Sequence, residues 1–286
     1  MKEFDIALIG GDARIAYMAP FLSEKGYRVI GYGLSDDSEI KDAFVEAASL
    51  KEAIEVAGCI VGGIPLFKGN LLCSQHPLSD LLKVEFDALL QKEQRLFGGI
   101  LPTEFVSRCK DRGIVCYDFM KYEPYVIKNA IATAEGSILE ALQHKNTSIH
   151  GNKALVLGYG RCGRILAQKL KGLDAKVCVC SKSEEELAQA ETYGMELLCL
   201  KELEEHISEY EYIYNTIPAV VLSQDVLRHV RKDALVIDIA SAPGGVEDKA
   251  AKKFAVKVLY CYGLPGKYAP KTAAEGLAEY VIQNMK

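Results

Sequence analysis

Lys153-Ala154-Leu155-Val156-Leu157-Gly158-Tyr159-Gly160-Arg161-Cys162-Gly163-Arg164 is the stretch on which the fold turns. A short apolar run of strand character leads into Gly-x-Gly-x-x-Gly, and helical spacing follows through Leu170. The glycine pattern alone is weak, but a strand before it and a helix after it are the context of a dinucleotide turn. Gly158 suits the tight turn, Gly160 lets the backbone approach a pyrophosphate, and Gly163 lets the helix lie close to the strand. Tyr159, Arg161 and Cys162 complete the loop, whose helix N-terminus offers free N–H groups and partial positive charge.

Downstream, apolar runs at 176–180, 196–200, 210–215, 235–239 and 256–261 alternate with helical patterns, so residues 147–268 hold the six strands of a complete dinucleotide fold. Upstream, residues 125–146 read as a long connecting helix. Residues 1–124 alternate too, with strands at 4–9, 27–32, 59–64, 95–100 and 114–119 and a helix at 13–25, and are expected to form a flavodoxin-like substrate domain. Residues 269–286 read as a last helix packing back on that first domain. The expected class is α/β: two parallel-sheet, Rossmann-like domains joined by a long helix.

An acid about 20 residues beyond the glycines normally accepts the ribose 2′-OH of NAD. Here the second strand ends in Ser181-Lys182-Ser183, two hydroxyls and a cation that suit a 2′-phosphate, with Glu184 to Glu186 falling after the next helix begins. The expectation is NADP(H) in preference to NAD(H), with Arg161 as a second cation. Later strand ends should complete the pocket: Thr216-Ile217-Pro218, Ala240-Ser241 and Gly263-Leu264-Pro265. Asp238, within its strand, reads as a structural carboxylate.

Composition bounds the rest. The 286 residues are 49% hydrophobic and 26% charged, enough for two cored domains and too apolar for disorder. With 34 Lys and Arg against 39 Asp and Glu, no sequence-wide positive field draws in nucleic acid or an anionic membrane. The acidic start and the lack of a long apolar run predict a cytoplasmic protein without a membrane span. Nine cysteines without a Cys-x-x-Cys pair, several inside apolar runs, read as reduced core residues, and no metal site is expected. The five histidines (His76, His144, His150, His206, His229) lack convergent partners in the sequence and read as surface or capping residues.

The run Leu227 to Asp238 is similar to the cofactor domain of D-2-hydroxyacid dehydrogenases, yet Ser241-Ala242-Pro243-Gly244 replaces their arginine and no histidine follows His229. Hydroxyacid chemistry is disfavoured. Nearly the whole chain instead resembles the A subunits of dipicolinate synthases from endospore-forming bacteria. The resemblance rests on Gly10-Gly11-Asp12-Ala13-Arg14, Asn129 to Gly136, Ile149-His150-Gly151, Asn215-Thr216-Ile217-Pro218, Ala240 to Gly245, and Gly263-Leu264-Pro265-Gly266 followed by Ala269 to Ala273. Ala132 stands where the family's pattern would have proline.

The resemblance implies dehydrogenation of a dihydrodipicolinate-level ring from the lysine pathway to pyridine-2,6-dicarboxylate for spore formation, in partnership with a flavoprotein-like B subunit. A dicarboxylate needs fixed cations, and Arg14 and Lys271, beside Thr133 and Thr272, are the candidates to bind it. Asp12, Glu135 and Lys271 are the nominated proton acceptors. Two alternatives stay open: a non-catalytic NADP(H)-binding regulatory subunit of a flavoprotein complex, and an NADP-dependent dehydrogenase of another small carboxylate. The latter would use Lys68 or Lys83 with Asp80. A homo-oligomer is compatible with each.

Overall fold

The computed structural model describes residues 2–35, 37, 39–76 and 78–285. They divide into two compact units: the described residues up to Lys128 together with those from Pro265 onward, and Asn129–Leu264. The connecting helix, Glu123–His144, runs from the first unit into the second.

Among its described residues the first unit carries a six-stranded parallel sheet built from β1 (Phe4–Ile9), β2 (Val29–Tyr32), β3 (Val45–Glu46), β4 (Ala57–Val61), β7 (Arg95–Gly98) and β8 (Val115–Asp118). A two-stranded antiparallel hairpin, β5 (Phe67–Lys68) with β6 (Leu71–Leu72), is inserted after β4. The strand alternation sorts β1 to two cores. Ala7 and Ile9 join Leu50, Ile54, Phe86 and Phe105 from the helices on one face. Ile6 and Leu8 join Ile15, Met18 and Leu22 on the other, where Leu277 and Val281 of the C-terminal helix, Pro270–Met285, complete the layer. The last helix therefore packs on the first unit, because Ala273, Ala274, Leu277, Ala278 and Val281 form one buried stripe at helical spacing.

The sheet order is β3-β2-β1-β4-β7-β8. Counting parallel strands in chain order, this is the 3-2-1-4-5-6 of a dinucleotide fold and not the 2-1-3-4-5 of a flavodoxin, which corrects the flavodoxin-like expectation. The difference lies in β3, two exposed residues at the sheet edge with too little apolar pattern to be read from sequence. The helix expected at 13–25 is two helices, Ala13–Ala16 and Met18–Glu24. Pro20 has no N–H for the Ala16 carbonyl, so a continuous helix is broken around Tyr17.

In the second unit, β9 (Lys153–Leu157), β10 (Lys176–Ser181), β11 (Glu196–Cys199), β12 (Tyr212–Asn215), β13 (Leu235–Asp238) and β14 (Lys257–Tyr260) form a parallel sheet of order β11-β10-β9-β12-β13-β14. The chain builds outward from β9 on one side and then on the other, so the direction of construction reverses between β9 and β12. On one face Leu155, Leu157, Cys178, Cys180, Ile213 and Val236 share a core. Leu166, Ala167 and Leu170, on the helix Arg161–Gly172 that packs against β9 and β10, are fully buried. Burial of β9 and β12 on both faces explains their near-continuous apolar runs.

Candidate functional site

The glycine loop occupies the carboxyl end of β9 at the reversal point of the second sheet, where open α/β sheets take their ligands. Gly158 has φ +88°, and a Cβ there would stand 2.7 Å from Thr216 Oγ1. A Cβ on Gly163 would be 2.1 Å from the Gly158 carbonyl oxygen, so only hydrogen lets the helix seat against the turn. Gly160 differs: it is exposed, it caps the 12-residue helix, and a Cβ on it would meet nothing within 4 Å. The space over Gly160 is open on the side where the helix presents its first N–H groups. Those three environments fit a pyrophosphate. Tyr159 is buried, and its carbonyl accepts from Arg164 Nε at 2.8 Å. Burial raises the pKa of the Cys162 thiol, which therefore stays protonated beside the turn. Arg161 is exposed.

Two further strand ends are tied to this loop. Thr216 donates from its hydroxyl to the Leu157 carbonyl at 2.8 Å, and Ile217 would lie 2.9 Å from a Cβ on Gly158. Asn215 and Asp238, both fully buried, hold the next pair of ends together. Asn215 Nδ2 donates to Asp238 Oδ1 at 2.9 Å and to the Ile217 carbonyl at 3.0 Å. Asp238 also accepts from the amides of Ala240 at 3.1 Å and Gly245 at 3.0 Å. Gly245 is required because a Cβ there would stand 2.0 Å from Asn215 Nδ2. Asp238 is thus a structural carboxylate, and the loops 216–218 and 240–245 are held beside the glycine turn. Ser241 is exposed, and Gly263, with φ +66°, leads from β14 into buried Leu264. Pro265 opens the stretch assigned to the first unit.

At the end of β10 the hydroxyls are engaged internally. Ser181 Oγ donates to Glu186 Oε2 at 2.5 Å and accepts from the Ser183 amide at 3.1 Å, while Ser183 Oγ accepts from the Glu186 amide at 3.3 Å. Glu186 Oε2 also accepts from the Tyr159 amide at 3.3 Å. Lys182 is exposed. Glu186 is the residue that sequence reasoning set aside as too late in the chain. Its signal was Ser183-x-x-Glu186, the spacing of a helix-capping box, which turns a third-position carboxylate back toward the strand end.

In the first unit Asp12 caps Ala13–Ala16 and is joined to Arg14, as Gly10-Gly11-Asp12-Ala13-Arg14 suggests. The guanidinium, expected to offer its fork to a carboxylate ligand, is 3% exposed and spends the fork on Asp12: Nε donates at 2.9 Å and Nη2 at 2.7 Å. Nη1 donates to Tyr125 Oη at 3.4 Å and Nη2 to the Ile64 carbonyl at 3.3 Å. Burial alone would lower the Arg14 pKa; the bonds and charge of Asp12 and Tyr125 outweigh it, and the net shift is upward. Lys271 is paired with Glu39 and lies 5.5 Å from the Tyr17 ring, while Thr272 is exposed. In the second unit Thr133 donates to the Asn129 carbonyl of its own helix at 3.0 Å, and Glu135 pairs with Lys169 at 2.7 Å. Of the alternative Lys–Asp pair, Asp80 accepts from Tyr32 Oη at 2.8 Å and from the Leu50 amide at 3.2 Å, and Lys83 lies over Phe67.

The first unit's own glycine turn is closed. Gly11 donates to the Cys73 carbonyl at 2.6 Å, Gln75 donates to the Gly11 carbonyl at 3.0 Å, and a Cβ on Gly10 would lie 2.8 Å from the Cys73 oxygen. The segment after the β5–β6 hairpin therefore covers the place where a pyrophosphate would lie. Among the described residues no group of three or more His, Cys, Asp or Glu could hold a metal ion, and no helix is long and apolar enough to cross a membrane.

Residues 5–120 match the family of the N-terminal domain of dipicolinate synthase A subunits, and residues 127–264 match the D-isomer specific 2-hydroxyacid dehydrogenase NAD binding domain. The chain is 41% identical over 152 residues to the dipicolinate synthase A subunit of Bacillus subtilis (strain 168), a match covering 53% of this chain and about half, 51%, of that relative. Its fold is similar to the crystal structure of the dipicolinate synthase A subunit from Bacillus halodurans, with TM-score 0.86, 28% identity and coverage of 99% and 97% of the two chains. The crystal structure of the Bacillus subtilis counterpart gives TM-score 0.82 at 28% identity, covering 99% and 96%. The resemblance carried by the sequence motifs is borne out, and the second unit is a nicotinamide-dinucleotide domain of dehydrogenase type.

Proposed function

From the likeness to dipicolinate synthase A subunits, we propose that this chain binds NADP(H) in its second unit and serves, with a flavoprotein-like B subunit, to dehydrogenate a dihydrodipicolinate-level ring to pyridine-2,6-dicarboxylate during spore formation. One observation carries the cofactor part: an exposed Gly160 over a helix N-terminus, between glycines that no side chain could replace, at the reversal point of a parallel sheet. When bound, the nicotinamide would accept the hydride that the ring loses on aromatisation. The protein's part is to hold the cofactor with the loop amides and the ends at Thr216-Ile217-Pro218, Ala240-Ser241 and Gly263-Leu264-Pro265, and to orient a dianion.

Preference for the 2′-phosphate rests on Lys182, with Arg161 as a second cation. Glu186 opposes it, since its carboxylate is held at the same strand end, so the preference is set at about tenfold, the size of one charge-assisted contact. For the substrate, Lys271 and Thr272 are the more accessible candidates, because Arg14 would first have to release Asp12. Asp12, Glu135 and Lys271 stay the nominated proton acceptors, with Thr133 beside them.

Reconstitution tests the reading. The purified chain is mixed with NADP+, a dihydrodipicolinate-level substrate and the flavoprotein-like partner, and dipicolinate is followed by its ultraviolet absorbance. Formation that needs both proteins supports it. Formation by the partner alone would favour a purely regulatory role for this chain, and none from any combination, with cofactor binding intact, would favour a different carboxylate.

A further inference from the structure

The connecting helix Glu123–His144 is apolar on nearly every side, a pattern that belongs to a helix covered all round. Its own chain covers most of it: Ala130, Ala134, Ile138 and Ala141 are buried. One stripe is left in water. Ile127, Ile131, Leu139 and Leu142 are 46%, 42%, 38% and 48% exposed, and Glu135 lies among them. Steps of four, four, four and three residues put all five on one helix face. Four large aliphatic side chains on the open face of this helix call for an occupant.

We propose that the occupant is a second copy of this chain, with the two connecting helices antiparallel across a two-fold axis at Glu135. The stripe is close to symmetric about that residue: Ile131 and Leu139 stand four positions to either side, and Ile127 and Leu142 eight and seven. An isologous contact requires such a pattern, since residue i must meet residue j and j must meet i. Antiparallel pairing sets Ile131 on Leu139 of the second copy and Ile127 on Leu142, over a seam of ~22 Å at 1.5 Å per residue.

The charges agree. Glu135 and Lys169 form an ion pair at 2.7 Å beside the stripe. A two-fold axis there brings together two such pairs, so each carboxylate can face the ammonium of the other copy. A charged pair in an otherwise apolar seam also sets the register, because sliding by one turn would press it against aliphatic side chains. This inference is independent of the reaction the chain supports.

Sedimentation equilibrium on the full chain tests it. The wild type should be a dimer at roughly micromolar concentration, and Ile131→Asp or Leu139→Asp should weaken association by at least ~30-fold, since either sets a carboxylate in the seam. Melting temperature and NADP(H) affinity should be unchanged, both side chains being exposed and outside the cofactor loops. Glu135→Cys should give a covalent dimer under mild oxidation, because residue 135 meets its own copy at the axis; Lys110→Cys, elsewhere on the surface, and the wild-type cysteines should not. A wild type that stays monomeric at about 100 µM would overturn the proposal. So would a dimer indifferent to Ile131→Asp, or a stripe whose substitution disturbs only binding of the flavoprotein-like partner.

Discussion

Lys182 and Glu186 stand four residues apart with opposite charge at the end of β10, and they act on a 2′-phosphate in opposite directions. Lys182→Ala should remove most of the roughly tenfold preference for NADP(H), and Glu186→Gln should increase it by relieving repulsion while keeping an oxygen for Ser181. Calorimetric titration of both cofactors against the three proteins checks this; equal wild-type affinities would reject the assignment. Arg14 separates a structural from a substrate role. Removing one member of a buried ion pair costs about 3 to 5 kcal/mol, so Arg14→Ala should lower the urea midpoint clearly. A normal midpoint with a raised KM in the assembled enzyme would instead return Arg14 to the substrate.

At the scale of elements, the three glycines of one loop should respond differently to the same added methyl group. Gly163→Ala places a Cβ 2.1 Å from a backbone oxygen that cannot move without the strand, so both stability and cofactor binding should be lost. Gly160→Ala adds a Cβ in open space. It should leave the melting temperature nearly unchanged and weaken NADP(H) at least about tenfold, because the methyl group stands where the backbone must approach the pyrophosphate. A Gly160→Ala protein that binds normally would place the cofactor elsewhere. The Asn215–Asp238 pair is the other junction between elements. Asp238→Ala leaves three buried donors without an acceptor at about 1 to 3 kcal/mol each, so it should destabilise the second unit and loosen the loops beside the glycine turn. Differential scanning calorimetry with and without NADP(H) would show both effects.

For the whole molecule, two sheets of the same strand order raise the question of two cofactors. The first glycine turn is closed by Cys73 and Gln75, while the second is open at Gly160. Titration should therefore saturate at a single NADP(H) per chain, and a second site of comparable affinity would contradict that reading. On the proposed function, the isolated chain should turn over slowly and gain activity with its flavoprotein-like partner, since among the described residues no complete acid–base group stands beside the cofactor loops. Full activity of the chain by itself would count against the division of labour.

The sequence by itself determined the class of fold, because its signals are local. Strand-glycine-helix at 153–164, the 22-residue apolar helix and the C-terminal stripe are each patterns of neighbours, and neighbours are what chain order records. Only the tertiary structure decided the strand order of the first unit, where the two-residue β3 carries no pattern to read. It also decided that Arg14 is consumed by Asp12, that Glu186 reaches back to Ser181 and the Tyr159 amide, and that Cys73 closes the first glycine turn. A side chain's availability depends on what folds against it from distant positions, and glycine turns of similar sequence become an open site or a closed one according to which segment the packing brings over them.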